Sequence, residues 1–340
     1  MFEQFRYVTL DVRMTAEEAA KLPPYKGSTL RGAFGHAFRR VACPFRACPP
    51  CILPKTCPYT YVFETAPRDG GGLFGKNAAV PHPFILDLPL DGRTDFAAGT
   101  QMSFGLVLVG RAIDFTPYFA VALREMGRTG LGRGRARWRL DRIVDRAPGG
   151  ERLLYDAATE DERLLASPTV HRGVPNLGPL APAALRGSGG GEGEGEGEGA
   201  QVTLRFETPT RLRFGGHLTG KPEFHVLIRN LLRRLSALAA YHCGFTPDLD
   251  YRDLILRATS VATRQADLTW VDWERYSARQ DARMALGGFV GTATFEGDLA
   301  PFVPFLRLGE VLHVGKGTAF GLGKYRIVEA AVSRSDTGAR

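Results

Sequence analysis

The sequence predicts an α+β chain built from two tandem ferredoxin-like units, each a βαββαβ fold, and three observations carry that prediction. The same order of strand and helix patterns appears twice, both copies close with a matching tetrapeptide, "GLGR" (130–133) and "GLGK" (321–324), and a stretch without hydrophobic periodicity separates them. That stretch, 168–200, is rich in Pro and Gly and ends in "GEGEGEGEG", the composition of a flexible linker. The expected units are therefore 1–167 and 201–335.

The first unit opens with the strand pattern "FRYVTLDVRM" (5–14), followed by a helix at about 27–42 and strands near 83–88 and 101–111. A Pro-started helix (116–126) and a basic strand, "RARWRLDRIV" (135–144), complete it. The second unit repeats the order: "QVTLRFET" (201–208), a helix over 222–243 stopped by Gly244, strands near 254–264 and 286–297, a Pro-started helix at 300–312 and a last strand at 324–332. Leu30, Ala33, Phe34, Ala37, Phe38 and Val41 form one buried helix stripe; Phe224, Leu227, Ile228, Leu231 and Leu235 form the other, with His242 on it.

Composition narrows the function classes. With 340 residues, 44% of them apolar, the chain is long enough for two cores. No apolar run approaches the roughly 18 residues of a membrane span, so a cytoplasmic protein without a membrane partner, monomeric or homodimeric, is expected. The net charge is +8, and because four acids lie in the Gly/Glu tract the remainder carries +12. A polyanionic partner follows, and 37 arginines against 7 lysines suit phosphate contacts.

The loop "HVGKGTAFGLGKYRI" (313–327) sets Gly315, Gly317, Gly321 and Gly323 beside Lys316 and Lys324. It fails as a Walker loop, because Thr318 stands five positions before Gly323 and Tyr325 follows Lys324 where a metal-binding hydroxyl is needed. The dinucleotide spacing fails too, and the loop runs from helix to strand, the reverse of both motifs. What remains is a flexible basic loop whose backbone N–H groups approach a phosphate. Further polyanion contacts are expected from Arg133, Arg135, Arg137 and Arg139, alternating on one strand face, and from Arg275, Arg279 and Gln280 in "RYSARQDAR" (275–283).

Cys43, Cys48, Cys51 and Cys57 are spaced C-x4-C-x2-C-x5-C in a Cys-rich insert over 43–57. The cluster reads either as a structural Zn²⁺ site bracing the first helix or as four reduced cysteines. Among the histidines, His36 falls roughly 140° from the first helix's apolar stripe, beside Gly32, Gly35, Arg39 and Arg40. Spacing alone leaves it as a solvated surface histidine or as a proton carrier facing a phosphate backbone. His217 and His313 are expected at the same surface.

Two stretches carry a resemblance. "RYSARQDARMALGGFVGTATFEGDLAPFVPFLRLGEVLHVGKGTAFGLGKYRI" (275–327) and "STLRGAFGHAFRRVAC" (28–43) resemble the CRISPR-associated endoribonucleases of the RAMP superfamily, which cut precursor CRISPR RNA. The resemblance implies RRM-like RAMP domains that bind a CRISPR repeat and cleave it without a metal or other cofactor. The substrate's 2′-hydroxyl is then the nucleophile and a 2′,3′-cyclic phosphate the product. It further implies a catalytic histidine at His36, assisted by Tyr25 and Lys26, with Arg40 and Arg39 where a lysine would follow. The alternative within the same resemblance is an inactive RNA-binding subunit of a CRISPR effector complex.

Overall fold

The computed structural model of the chain describes residues 1–43, 56–65, 80–147, 150–159, 166–177, 200–272, 274–277 and 282–332. The first half contains β1 (Arg6–Ala16), α1 (Gly27–Ala42), β2 (Phe84–Asp87), β3 (Gln101–Val109), α2 (Thr116–Thr129), β4 (Trp138–Ala147) and β5 (Gly150–Asp156). Its strands lie in the order β2-β3-β1-β4-β5, every neighbouring pair antiparallel. The second half contains β6 (Ala200–Thr210), α3 (Phe224–Leu238), α4 (Tyr251–Thr259), β7 (Ala262–Val271), β8 (Gly288–Gly297), α5 (Val303–Leu312) and β9 (Tyr325–Val332). Its order is β7-β8-β6-β9, again antiparallel throughout. Within each half the first strand is flanked by the third and the last, so both are ferredoxin-like, and β5 is an added edge strand.

Each core forms where a strand's inward residues meet a helix's apolar stripe. In the first half Val8, Leu10, Val12 and Met14 of β1 pack against Leu30, Phe34 and Phe38 of α1 and Phe119, Leu123 and Met126 of α2, all buried. The Phe38 and Phe119 rings meet edge to face at 5.1 Å, a geometry the ring quadrupoles favour. The second core sets Val202, Leu204 and Phe206 of β6 against Leu227, Leu231 and Leu235 of α3 and Phe305 and Leu308 of α5. Burying each of these side chains contributes about 1.5–3 kcal/mol.

Two segments depart from expectation. Residues 251–259 form α4, where the apolar run Leu254-Ile255-Leu256 suggests a strand. The Asp250 carboxylate caps this helix by accepting from the Asp253 amide (2.9 Å), and the buried pair is Leu254 and Ala258, four residues apart. Of the expected linker, residues 168–177 and 200 are described, and the first part folds back: His171–Arg172 pairs with Arg6 and Tyr7 of β1, and the His171 ring stacks on Tyr7 at 5.1 Å.

The halves share buried surface. Tyr7, Ile85, Val107 and Val109, on the face of the first sheet away from its own helices, belong to the second core. His242, buried as its stripe position requires, bridges the halves through the Tyr61 hydroxyl at 2.9 Å and the Pro81 carbonyl at 2.8 Å. No helix among the described residues is long and apolar enough to cross a membrane.

Candidate nucleic-acid interface

The glycine-rich loop leaves the C-terminus of α5 and reaches β9 through a packed path. Gly315, Gly317, Gly321 and Gly323 all have φ between 74° and 82°. At Gly323 a Cβ would lie 1.9 Å from the Val314 carbonyl oxygen, and at Gly321 2.7 Å from Leu88 of the first half. Glycine is required here by close approach and by backbone angle. The loop's amides are engaged within the protein: Lys316 N donates to the Arg211 carbonyl (3.1 Å) and Gly323 N to that of Pro209 (3.2 Å). Lys324 N donates to the buried Thr208 hydroxyl (2.8 Å), which donates in turn to the Gly321 carbonyl (2.9 Å). The expected flexible cradle of free amides is therefore replaced by a rigid clasp.

That clasp sits on the start of α1. Tyr25 Oη donates to the Phe320 carbonyl at 2.8 Å, and burial together with the Asp87 charge pushes its phenol well above the ordinary range. The Arg31 guanidinium lies over Phe63 (4.5 Å) and over Phe320 of the loop (5.5 Å). Lys324, expected to face a phosphate, turns inward between Asp87 (2.7 Å) and Glu207 (3.4 Å). Its charge is compensated by carboxylates from both halves. Lys26 is fully buried, its Nζ 3.0 Å from Asp91, so it anchors the helix start and is turned away from any substrate.

Along α1, His36 is exposed and among the described residues makes no hydrogen bond or ion pair. Gly32, one turn before it, has open space where a Cβ would be, whereas Gly35 is covered by Arg31 and Phe63. Arg39 lies over the Tyr59 ring at 5.9 Å, and Arg40 pairs with Glu125 of α2 at 2.7 Å. The other histidines divide by burial. His313 is buried with Nδ1 3.2 Å from the Leu322 carbonyl, not at the surface, and burial pulls it down to about 4. His82 is likewise lowered to about 4, chiefly by burial and then by Arg31. His36 and His217 are exposed.

The expected arginine strand begins late. Residues 131–136 form a turn closed by a Leu131–Ala136 bridge, with Arg135 at φ 49°, so Arg133 and Arg135 project from a loop. Arg137 and Arg139 are not an uncompensated row: Arg137 lies 3.7 Å from Glu18 and Arg139 2.9 Å from Asp141. Arg275 lies on the hairpin strand Glu274–Ser277, and Arg279 and Gln280 fall outside the described residues. Cys48 and Cys51 also fall outside them; Cys43 is half-buried and Cys57 buried. Among the described residues no group of three or more His, Cys, Asp or Glu is placed to hold a metal ion.

A basic corner lies beside the loop, around the segment that holds His217. Lys316 is exposed at its tip, and its ammonium is pulled down by partial burial and by the charges of Arg213, Arg211 and Arg233. Next to it a hairpin pairs Leu212–Phe214 with His217–Thr219. The signal was present in "RLRFGGH": Gly-Gly between two short alternating runs is a hairpin turn.

Two family models cover the chain in succession. Residues 5–169 match one described only as an N-terminal domain. Residues 204–325 match the family described as CRISPR-associated endoribonuclease Cas6, over the stretch that holds the glycine loop and the basic corner. The second half thus carries a stretch similar to the Cas6 endoribonucleases. Solved Cas6 structures share its fold. A Cas6 product complex is 18% identical, covering 95% of this chain and 99% of its own with a TM-score of 0.53. Thermus thermophilus Cas6 is 16% identical over 94% of this chain and 98% of its own, with a TM-score of 0.50. A partial Cas6-RT-Cas1–Cas2 complex matches at 13% identity and a TM-score of 0.55 over 99% of this chain and 48% of its own. No curated protein matches the chain in sequence. In this shared fold the glycine loop rests against the start of α1, through Tyr25 and Phe320.

Proposed function

We propose that this protein is an endoribonuclease that binds CRISPR repeat RNA through both halves and cuts precursor CRISPR RNA into guides without a metal. The observation that carries this reading is the match of residues 204–325 to the Cas6 endoribonuclease family. In the proposed step the substrate's 2′-oxygen bonds to phosphorus and the phosphorus–5′-oxygen bond breaks. The 2′-proton passes to a base, and the 5′-oxygen takes a proton as it leaves. His36 supplies one of these transfers. Its exposure and the open flank at Gly32 support that role. Arg39 and Arg40 stabilise the extra phosphate charge; neither serves as a proton donor, because guanidinium stays charged. Tyr25 and Lys26 act by positioning, holding the start of α1 against the loop and against Asp91. The cysteines serve neither transfer.

The test is incubation with end-labelled repeat RNA in EDTA. A single cut ending in a 2′,3′-cyclic phosphate is the expected result. Tight binding with no cut under any metal condition sinks the nuclease reading and leaves an RNA-binding subunit; cutting only when a divalent cation is restored sinks the metal-free step.

A further inference from the structure

The hairpin beside the glycine loop carries a binding device that the cleavage step does not use. Its turn is Gly215-Gly216, with φ 57° and 87°, the two positive angles of a tight primed turn. Phe214, at the turn, is 50% exposed, an unusual place for a large apolar ring in a hairpin that has so little else to bury. The ring is nevertheless fixed: the Arg229 guanidinium lies over it at 5.8 Å and His225 meets it at 5.1 Å, 72° between planes. The strand that bears it is pinned to α3 by Asn230, which accepts from Arg213 N (3.3 Å) and donates to the Arg213 carbonyl (3.1 Å). The Arg213 side chain closes the turn by donating to the Gly216 carbonyl (3.0 Å).

The cations around this ring lack the carboxylate partners that several arginines of the first half have. Arg40, Arg128, Arg137 and Arg139 of the first half each meet a carboxylate. Among the described residues, Arg213, Arg229, Arg233 and Lys316 meet none. An exposed, pre-ordered aromatic face inside an uncompensated cationic corner is the chemistry that holds single-stranded nucleic acid, where a base stacks and the adjoining phosphates meet cations. A paired stem offers phosphates but no free base face.

We propose that the hairpin of residues 212–219 binds an unpaired nucleotide of the RNA, with its base on Phe214 and its flanking phosphates on Arg213, Arg233 and Lys316. This rests on the RNA-processing reading above and adds the part of the substrate that the corner takes. Because Asn230 already fixes the shelf, little ordering cost opposes stacking.

The experiment compares two RNAs in binding titrations: a blunt repeat stem, and the same stem with an unpaired extension carrying 2-aminopurine. Stacking on an aromatic contributes about 1–3 kcal/mol per base, so Phe214→Ala should weaken binding of the extended RNA by about 5- to 150-fold and abolish the 2-aminopurine fluorescence change. Binding of the blunt stem should stay unchanged, and Phe214→Tyr should restore the extended RNA. An unchanged melting temperature shows that the variant folds. If wild type binds both RNAs and Phe214→Ala alters neither, or weakens both equally, the stacking site is overturned while the RNA reading stands. If wild type binds neither RNA, both readings fall, and binding of a labelled acidic peptide lost in Lys316→Ala would then mark the corner as a protein-docking surface.

Discussion

His313 enters the glycine-rich loop at φ 57°, a left-handed angle that few non-glycine residues adopt, and its ring is buried against the Leu322 carbonyl. Its value near 4 lies below the unfolded histidine range, so between about pH 6.5 and 4 the unfolded chain binds the proton that the folded one refuses. Stability is therefore complete above about pH 6.5 and falls as the solution is acidified towards 4. His82 adds to this in the same direction. The contribution is of order 3 kcal/mol for each histidine. Urea unfolding at pH 7 and pH 5 should show the loss, and His313→Asn should lessen it, because the Asn amide does not titrate and can donate to the Leu322 carbonyl. A slope identical to wild type would mean that the buried imidazole does not govern the acid limb. Nothing in "LHVGK" announces this burial. Helical periodicity ends at Leu312, and His313 is covered only because Arg234, itself buried, donates to the Leu312 and His313 carbonyls (2.8–3.1 Å) and holds the chain there.

At the scale of elements, strands and amphipathic helices were legible and loop packing was not. The stripes of α1 and α3 were readable because a 3.6-residue period maps directly onto one buried face. α4 was misread because three consecutive apolar residues suit either a strand or a helix, and only the Asp250 cap decides between them. The glycine spacing marks the loop as special, and its sequence alone suggests mobility. Its glycines instead admit backbone oxygens at distances no Cβ tolerates, contacts made with residues more than a hundred positions away as well as nearby. Gly323→Ala should cost several kcal/mol, since left-handed strain of about 1–2 kcal/mol adds to the Val314 contact. Thermal melting should show a clear fall in midpoint, whereas Gly32→Ala, at an open position, should leave stability nearly untouched. Equal midpoints for the two variants would contradict the clasp.

At the scale of the whole molecule, the loop couples the halves. Lys324 pairs with Asp87 across the boundary and Lys316 remains in the basic corner. The sequence treats these two lysines alike, because spacing cannot reveal which carboxylates the tertiary fold brings within reach. They should separate in a salt titration of RNA binding. Lys316→Ala should flatten the dependence of log K on log salt by about one phosphate contact, while Lys324→Ala should leave the slope and lower the melting temperature. The opposite pattern would place the phosphate contact at the wrong lysine. His36 and the arginines of α1 were visible in the sequence as a polar face, and so was "RLRFGGH", but the meeting of hairpin, α3 and loop in one corner depends on contacts that no local pattern encodes.

The two halves divide the work if chemistry resides at α1 while the second half holds the RNA. Single-turnover cleavage of labelled repeat RNA by wild type and by His36→Ala and His217→Ala, with binding of each measured in parallel in EDTA, tests this most directly. The predicted result is that His36→Ala binds as wild type does but cuts at least about a hundredfold more slowly, in line with the loss of general acid–base catalysis, while His217→Ala still cuts. Undiminished cutting by His36→Ala, or loss of cutting only in His217→Ala, would contradict it.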